Sequence, residues 1–152
     1  MGRVDEVTIS VSLTGTAGAY SANDVNGGLI TFPGAFDANT GKGVLTSVYI
    51  LDKAATGTNK TLHLFNASVT SIADNAAFDP TDTELLTNYI GAVPITTHDA
   101  FADNGVSYAD GLAKPVYNLA GSTALYAYLV EDSTPTYAST TDVAVKISIT
   151  RD

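Results

Sequence analysis

Cysteine is absent from this chain. That excludes a disulfide framework, a thiolate metal site and a cysteine nucleophile, and it leaves folding in a reducing compartment unobstructed. Histidine is nearly as scarce, with only His63 and His98, so the site of a histidine-rich jelly-roll enzyme lacks its metal ligands. Positive charge is thin as well. Seven Lys and Arg stand against sixteen Asp and Glu, a formal net charge of −9, and Arg3, Lys42, Lys53, Lys60, Lys114, Lys146 and Arg151 form no run. Nucleic-acid recognition needs a clustered positive patch, and anionic membranes attract polybasic segments; neither partner is expected. Long apolar runs are missing too. None approaches the ~20 residues of a membrane span, and in MGRVDEVTISVSL the charges of Asp5 and Glu6 break up any signal-peptide core, so export on that signal is not expected. No Walker or Rossmann loop and no G-x-S-x-G occurs. No cofactor and no metal are implied, and the chain does not read as an enzyme.

What is present is alternation. Val143, Val145, Ile147 and Ile149 lie on one side of a closing strand and Ala144, Lys146 and Ser148 on the other, a period of two that suits a half-buried pleated surface. Val7, Ile9, Val11 and Leu13 repeat the pattern near the N-terminus. Ala124–Glu131 differs: Leu125 and Leu129 share one face while Tyr126, Tyr128 and Val130 share the other. That strand is expected to be covered on both sides, with something docked on the sandwich. Leu45, Tyr49 and Leu51 against Val44, Val48 and Ile50 predict another central strand covered twice. TLHLFNAS adds one more, with Leu62 and Leu64 opposite His63 and Phe65.

Punctuation completes the reading. Asn26-Gly27-Gly28 reads as a turn ahead of a short strand at Leu29–Phe32. Thr81 and Glu84 have the capping-box spacing, Leu85, Leu86, Tyr89 and Ile90 recur at helical intervals, and Gly91 supplies a stop. One short helix is expected near 82–89. Brief strands are expected near Ala92–Thr96 and Pro115–Leu119, with FADNGVSYADGLAK between them as loop. At 152 residues the chain fits one domain, able to bury roughly 68–70% of its unfolded surface. The expected fold is all-β: a β-sandwich, in the form of a jelly roll of about eight strands, over residues 7–152 and preceded by a flexible arm at residues 1–6.

Titratable groups are few, and each has a structural role to fill. His63 sits mid-strand, and His98-Asp99 lies in a loop. Glu6, Glu84 and Glu131 read as an edge charge, a capping partner and a strand end. The Asp-rich pieces SIADNAAFDPTDTE and HDAFADNG miss the calcium-loop spacing and read as Asx turns. Aromatic residues give a stronger lead, because eight tyrosines offer amphipathic contact surface. The candidate interface residues are Tyr126, Tyr128, Tyr137, Pro135, Phe78 and Tyr89, on the doubly covered strand and in the long connections Glu131–Asp142 and Asp74–Gly91. A sugar-binding alternative uses Tyr108, Asp110, Tyr137 and Asp103.

The succession DVNGGLITFPGAF, GKGVLTSVYILDK, TLHLFN, NAAFDPTDTELLTNYIGAV and GSTALYAYLVEDSTPTYASTTDVAVKISI resembles small virion structural proteins of tailed bacteriophages. Nearest in character are the capsid decoration proteins, also called cement or head auxiliary proteins. The likeness runs from Tyr20 to the C-terminus and is one of order and texture; Met1–Glu6 falls outside it. It implies a β-sandwich or jelly roll that binds the outer surface of an assembled capsid and stabilises it, self-associating as a homotrimer, with the major capsid protein as partner. It also implies the capsid exterior of the virion as location, after synthesis in the bacterial host cytoplasm. No family residues carry over, because such proteins act through surfaces. The alternative on the same sandwich is a carbohydrate-binding module or a phage fibre or tail domain.

Overall fold

The alternating segments near the two ends of the sequence pair with each other. Val143–Arg151 (β12) lies antiparallel to Asp5–Ser12 (β1), with Ile147 opposite Ile9 and Val145 opposite Val11. On its other side β12 pairs with Lys42–Asp52 (β4). That strand in turn pairs with Gly105–Ala109 (β8) and, through its first half, with Lys114–Tyr117 (β9). Thr97–Ala100 (β7) pairs with β8 and ends this six-stranded sheet. The facing sheet runs Val25–Phe32 (β3), Leu125–Glu131 (β10), Lys60–Phe65 (β5) and Tyr89–Ile95 (β6). A short ribbon joins Gly18–Ala19 (β2) to Thr136–Tyr137 (β11), and Asp82–Thr87 forms the helix α1. The computed structural model describes residues 5–119 and 121–151, and among these the chain is an all-β sandwich with one short helix. Eight of its twelve strands have five residues or more, and β2, β7, β9 and β11 are shorter additions.

The main core lies between the sheets. Leu45, Val48, Ile50, Val145, Ile147 and Ile149 meet Ile30, Phe32, Leu62, Leu64, Leu125 and Leu129 across it. Each of these side chains contributes about 1.5–3 kcal/mol by leaving water. A second apolar cluster sits on the opposite face of the four-stranded sheet. There Val25, Phe65, Tyr128 and Val130 are covered by Val69, Ile72 and Phe78 from the connection between β5 and α1. The double cover expected for β10 is therefore present, and the chain itself supplies it.

Four expectations are corrected. Asn26-Gly27-Gly28 is a bulge inside β3 and not a turn: Asn26 pairs with Leu129 and Ile30 with Ala127, so extra residues are taken up where Gly27 and Gly28 have φ of 81° and 74°. The left-handed φ that glycine allows serves a bulge as well as a hairpin. Second, β4 is central but covered once. A register shift between Ser148 and Ile149 lets Leu45 join Val48 and Ile50 in the core, and leaves Tyr49 and Leu51 facing out. Third, the segment FADNGVSYADGLAK contains β8, which was hidden because its inward residues are Gly105 and Ser107. Fourth, the helix ends at Thr87, and Tyr89, Ile90 and Gly91 open β6. As for the arm, Asp5 and Glu6 already belong to β1, opposite Arg151 and Thr150; residues 1–4 lie outside the described ones.

Candidate functional site

With one face of β4 uncovered, the six-stranded sheet presents a side-chain surface to solvent. Register places Ser10, Lys146, Tyr49, Tyr108 and Thr97 side by side on five adjacent strands. The neighbouring row is Ser12, Ala144, Leu51, Val106 and Asp99. Tyr49 and Tyr108 stack with centroids 5.5 Å apart and planes 20° apart, and Lys146 Nζ lies 5.1 Å from the Tyr49 centroid. Phe101, in the turn after β7, is 60% exposed. Together these residues line an open groove of about 700 Å³, with Leu51, Val106 and Ala144 apolar and Ser10, Lys146, Asp99 and Asp110 polar. The Asp99 carboxylate is the largest influence raising the Tyr108 hydroxyl above the ordinary tyrosine range, so that hydroxyl remains a neutral donor and acceptor.

A second exposed feature is α1. Thr81 Oγ1 accepts from the Glu84 N–H at 3.2 Å, and Glu84 Oε2 accepts from the Thr81 N–H at 3.1 Å, which closes the expected capping box. Glu84 Oε1 also accepts from the Thr70 N–H at 2.6 Å, tying the cover segment to the helix. The helix buries none of its residues; Leu86 is 89% exposed, and Leu85 is exposed beside it. Leu119, also exposed, lies close by in the chain's path: its N–H donates to Asn66 O, and Asn66 Nδ2 donates to Thr87 O.

The Thr70 amide, followed by those at the cap, holds the Glu84 carboxyl down from the ordinary 4.5 to about 2. A folded-state pKa below the unfolded value contributes stability that is present above the unfolded value and lost as pH falls through the folded one. Acidification from about pH 4.5 to about pH 2 is thus expected to loosen the cap and release the Thr70 amide. Proton exchange at Thr70 followed by NMR checks this, and Glu84→Gln should remove the acid-dependent part.

The interior holds an ion pair. Lys60 and Glu131 are 0% exposed and lie 3.1 Å apart, Nζ to Oε2. Glu131 Oε1 accepts from Asn26 Nδ2 and from the Tyr137 hydroxyl, each at 2.8 Å, and Lys60 Nζ donates to Thr58 Oγ1 at 2.9 Å. The histidines have structural partners. His63, on the outer face of β5, stacks on Phe78 at 4.5 Å and bonds Tyr89 through Nδ1 at 2.7 Å. His98, expected with Asp99 in a loop, lies instead on β7, where Ser107 and Asn59 fix it at 2.7 and 2.9 Å. Burial lowers the pKa of both, and the Lys60 charge adds to the effect at His98. Among the described residues no group of three or more His, Cys, Asp or Glu is placed to hold a metal ion, and no helix is long and apolar enough to cross a membrane.

The six expected interface residues divide. Tyr128, Tyr137 and Pro135 are buried within the chain and present no contact surface, a correction with a clear cause. The Tyr128 hydroxyl donates to Thr70 O at 2.7 Å and accepts from the Ile72 N–H at 3.0 Å, so the cover segment closes over it. Tyr137 turns in to Glu131, and Pro135 O accepts from the Tyr20 N–H. Tyr126, Phe78 and Tyr89 are half-buried in the aromatic cluster on the four-stranded sheet. Of the sugar-binding set, Tyr108 and Asp110 line the groove, Asp103 lies exposed in the turn between β7 and β8, and Tyr137 does not take part. Sequence reasoning does not reach Tyr49, Leu51, Phe101 or Lys146 as site residues: Lys146 alternates away from the apolar face of β12, but Tyr49 and Leu51 were expected under cover on β4. Comparison with known proteins finds no family model that matches the chain and no curated protein that matches it.

Proposed function

We propose that the chain is a non-enzymatic virion structural protein that binds the outer surface of an assembled phage capsid and stabilises it, as a homotrimer docked on the major capsid protein. The observation that carries this is α1, which buries none of its own residues and holds Leu86 89% exposed with Leu85 beside it. Desolvating such leucines against a partner gains about 1.5–3 kcal/mol each. A ligand that binds only the assembled shell stabilises that shell by mass action. The strand order supports a jelly roll for this role. Counting the eight long strands in chain order, first-eighth-third-sixth faces second-seventh-fourth-fifth, the winding of two Greek keys. A net charge of −9 favours solubility before docking.

The test is the double variant Leu85→Ser/Leu86→Ser. Because both side chains are exposed, its folding stability should stay within about 0.5 kcal/mol of the parent. Light scattering of the parent at micromolar concentration should give a trimer, and the variant should lose binding to expanded capsids built from the cognate major capsid protein. A strictly monomeric parent that fails to bind capsids, or a variant that binds undiminished, would sink the reading.

A further inference from the structure

We propose that the groove on the outer face of the six-stranded sheet is an oligosaccharide-binding site. The argument starts from its chemistry. The lining is amphipathic: Leu51, Val106, Ala144 and the exposed Phe101 supply apolar surface, while Tyr49, Tyr108, Ser10, Lys146, Asp99 and Asp110 supply polar groups. Those polar groups are mixed in kind. The two carboxylates only accept hydrogen bonds, the ammonium only donates, and the hydroxyls do both. A sugar matches this alternation, with C–H faces to lay on apolar and aromatic surface and hydroxyls that donate and accept at once.

Charge decides against the competing occupants. A cationic peptide would be drawn to Asp99 and Asp110 but would meet Lys146, whose ammonium already sits over Tyr49. A polyanion would gain Lys146 and meet both carboxylates. An apolar protein surface pressed into the groove would strip water from all three charges, and desolvated charges left without partners cost more than the apolar contact returns. A neutral ligand carrying its own donors and acceptors replaces that water without this penalty.

Geometry fits the same ligand. The row from Ser10 to Thr97 crosses five strands, about 19 Å at the spacing of paired strands, which suits a short chain of sugar rings better than one. Tyr49, Tyr108 and Lys146, joined by the ring stack and the cation contact, stand on strands and not on loops, and so do Ser10 and Asp99; Asp110 follows β8 directly. Such placement reduces the ordering cost of binding.

The experiment is an NMR titration of the full chain with cellotetraose, maltotetraose, xylotetraose, mannotetraose and chitotetraose, alongside a hexa-arginine peptide and a neutral leucine-rich peptide. Expected are saturable amide shifts with at least one saccharide, confined to the residues that line the groove, Tyr49, Phe101, Tyr108 and Lys146 among them. Tyr108→Ala should weaken that binding roughly tenfold. Phe101→Ala, in an exposed turn, should weaken it without touching the sheet, which guards against misreading a folding defect. No saturable shift with any saccharide up to about 10 mM, shifts mapping elsewhere, or groove shifts with a peptide alone would overturn the assignment. Leu85→Ser/Leu86→Ser should leave the titration unchanged, so this site and capsid docking fail or stand separately.

Discussion

Glu131→Ala should lower the stability of the fold by about 3–5 kcal/mol, the usual cost of leaving a buried charge without its partner. The ammonium of Lys60 would stay at 0% exposure with its counter-charge gone, and Asn26 Nδ2 and the Tyr137 hydroxyl would lose their shared acceptor. Lys60→Met should cost a similar amount for the mirror reason. The pair itself is a different matter. Replacing both with apolar residues of similar size, Lys60→Met/Glu131→Leu, should recover the part of the loss that comes from the unpaired charge, while Asn26 Nδ2 and the Tyr137 hydroxyl still lack their acceptor. Urea unfolding of the two single variants and the double variant gives the coupling directly. A double variant as unstable as the sum of the singles would mean that the ion pair does not act as a unit.

Tyr128→Ala is expected to cost about 3–5 kcal/mol, as for other large-to-small changes in a closed core. The ring is fully buried on the outer face of β10, edge-on to Phe65 at 5.9 Å and within 5.6 Å of Phe78. Tyr128→Phe keeps the ring and removes only the hydroxyl that bridges Thr70 O and the Ile72 N–H. It should cost about 0.5–1.5 kcal/mol for each bond lost, the net worth of an ordinary hydrogen bond, because Thr70 is exposed and Ile72 half-buried, so water can reach the freed groups. The two variants separate by location as well as size: hydrogen exchange in Tyr128→Phe should rise in residues 69–78 while β4 and β12 stay protected. Uniform loss of protection across both sheets would show that the cover segment and the sandwich open together.

Local features were legible in the sequence and lateral ones were not. The alternation of β12 and β1, the two-sided pattern of β10 and the Thr81–Glu84 capping box each live within a dozen residues, and each took the form expected of it. The groove does not live in any one stretch. Tyr49, Tyr108 and Lys146 become neighbours only through the register of three strands far apart in the chain. The shift at Ser148/Ile149, which turns Leu45 to the same side as Val48, leaves no mark in the residue pattern either. Lys60 and Glu131 mislead for a related reason. A charged residue at a strand end usually faces water, and only their position directly opposite one another on β5 and β10 turns both inward. Small inward residues hide β8 in the sequence, where a Cβ on Gly105 would crowd Asp99 O at 3.0 Å.

The place of β12 in its sheet also dictates an order of assembly. Among the described residues it is the last strand in sequence, yet it lies between β1 and β4, which come long before it. During synthesis β1 and the β12-facing edge of β4 stay unpaired until β12 itself has been made. Contacts between such distant segments are slow to form, and unpaired edges invite other chains. The four-stranded sheet is complete once β10 appears, so it stands ready as a template while the other half is still open. The closing strand thus acts as a commit step for the six-stranded sheet: its insertion converts two loose edges into the continuous surface on which Tyr49, Tyr108 and Lys146 come together.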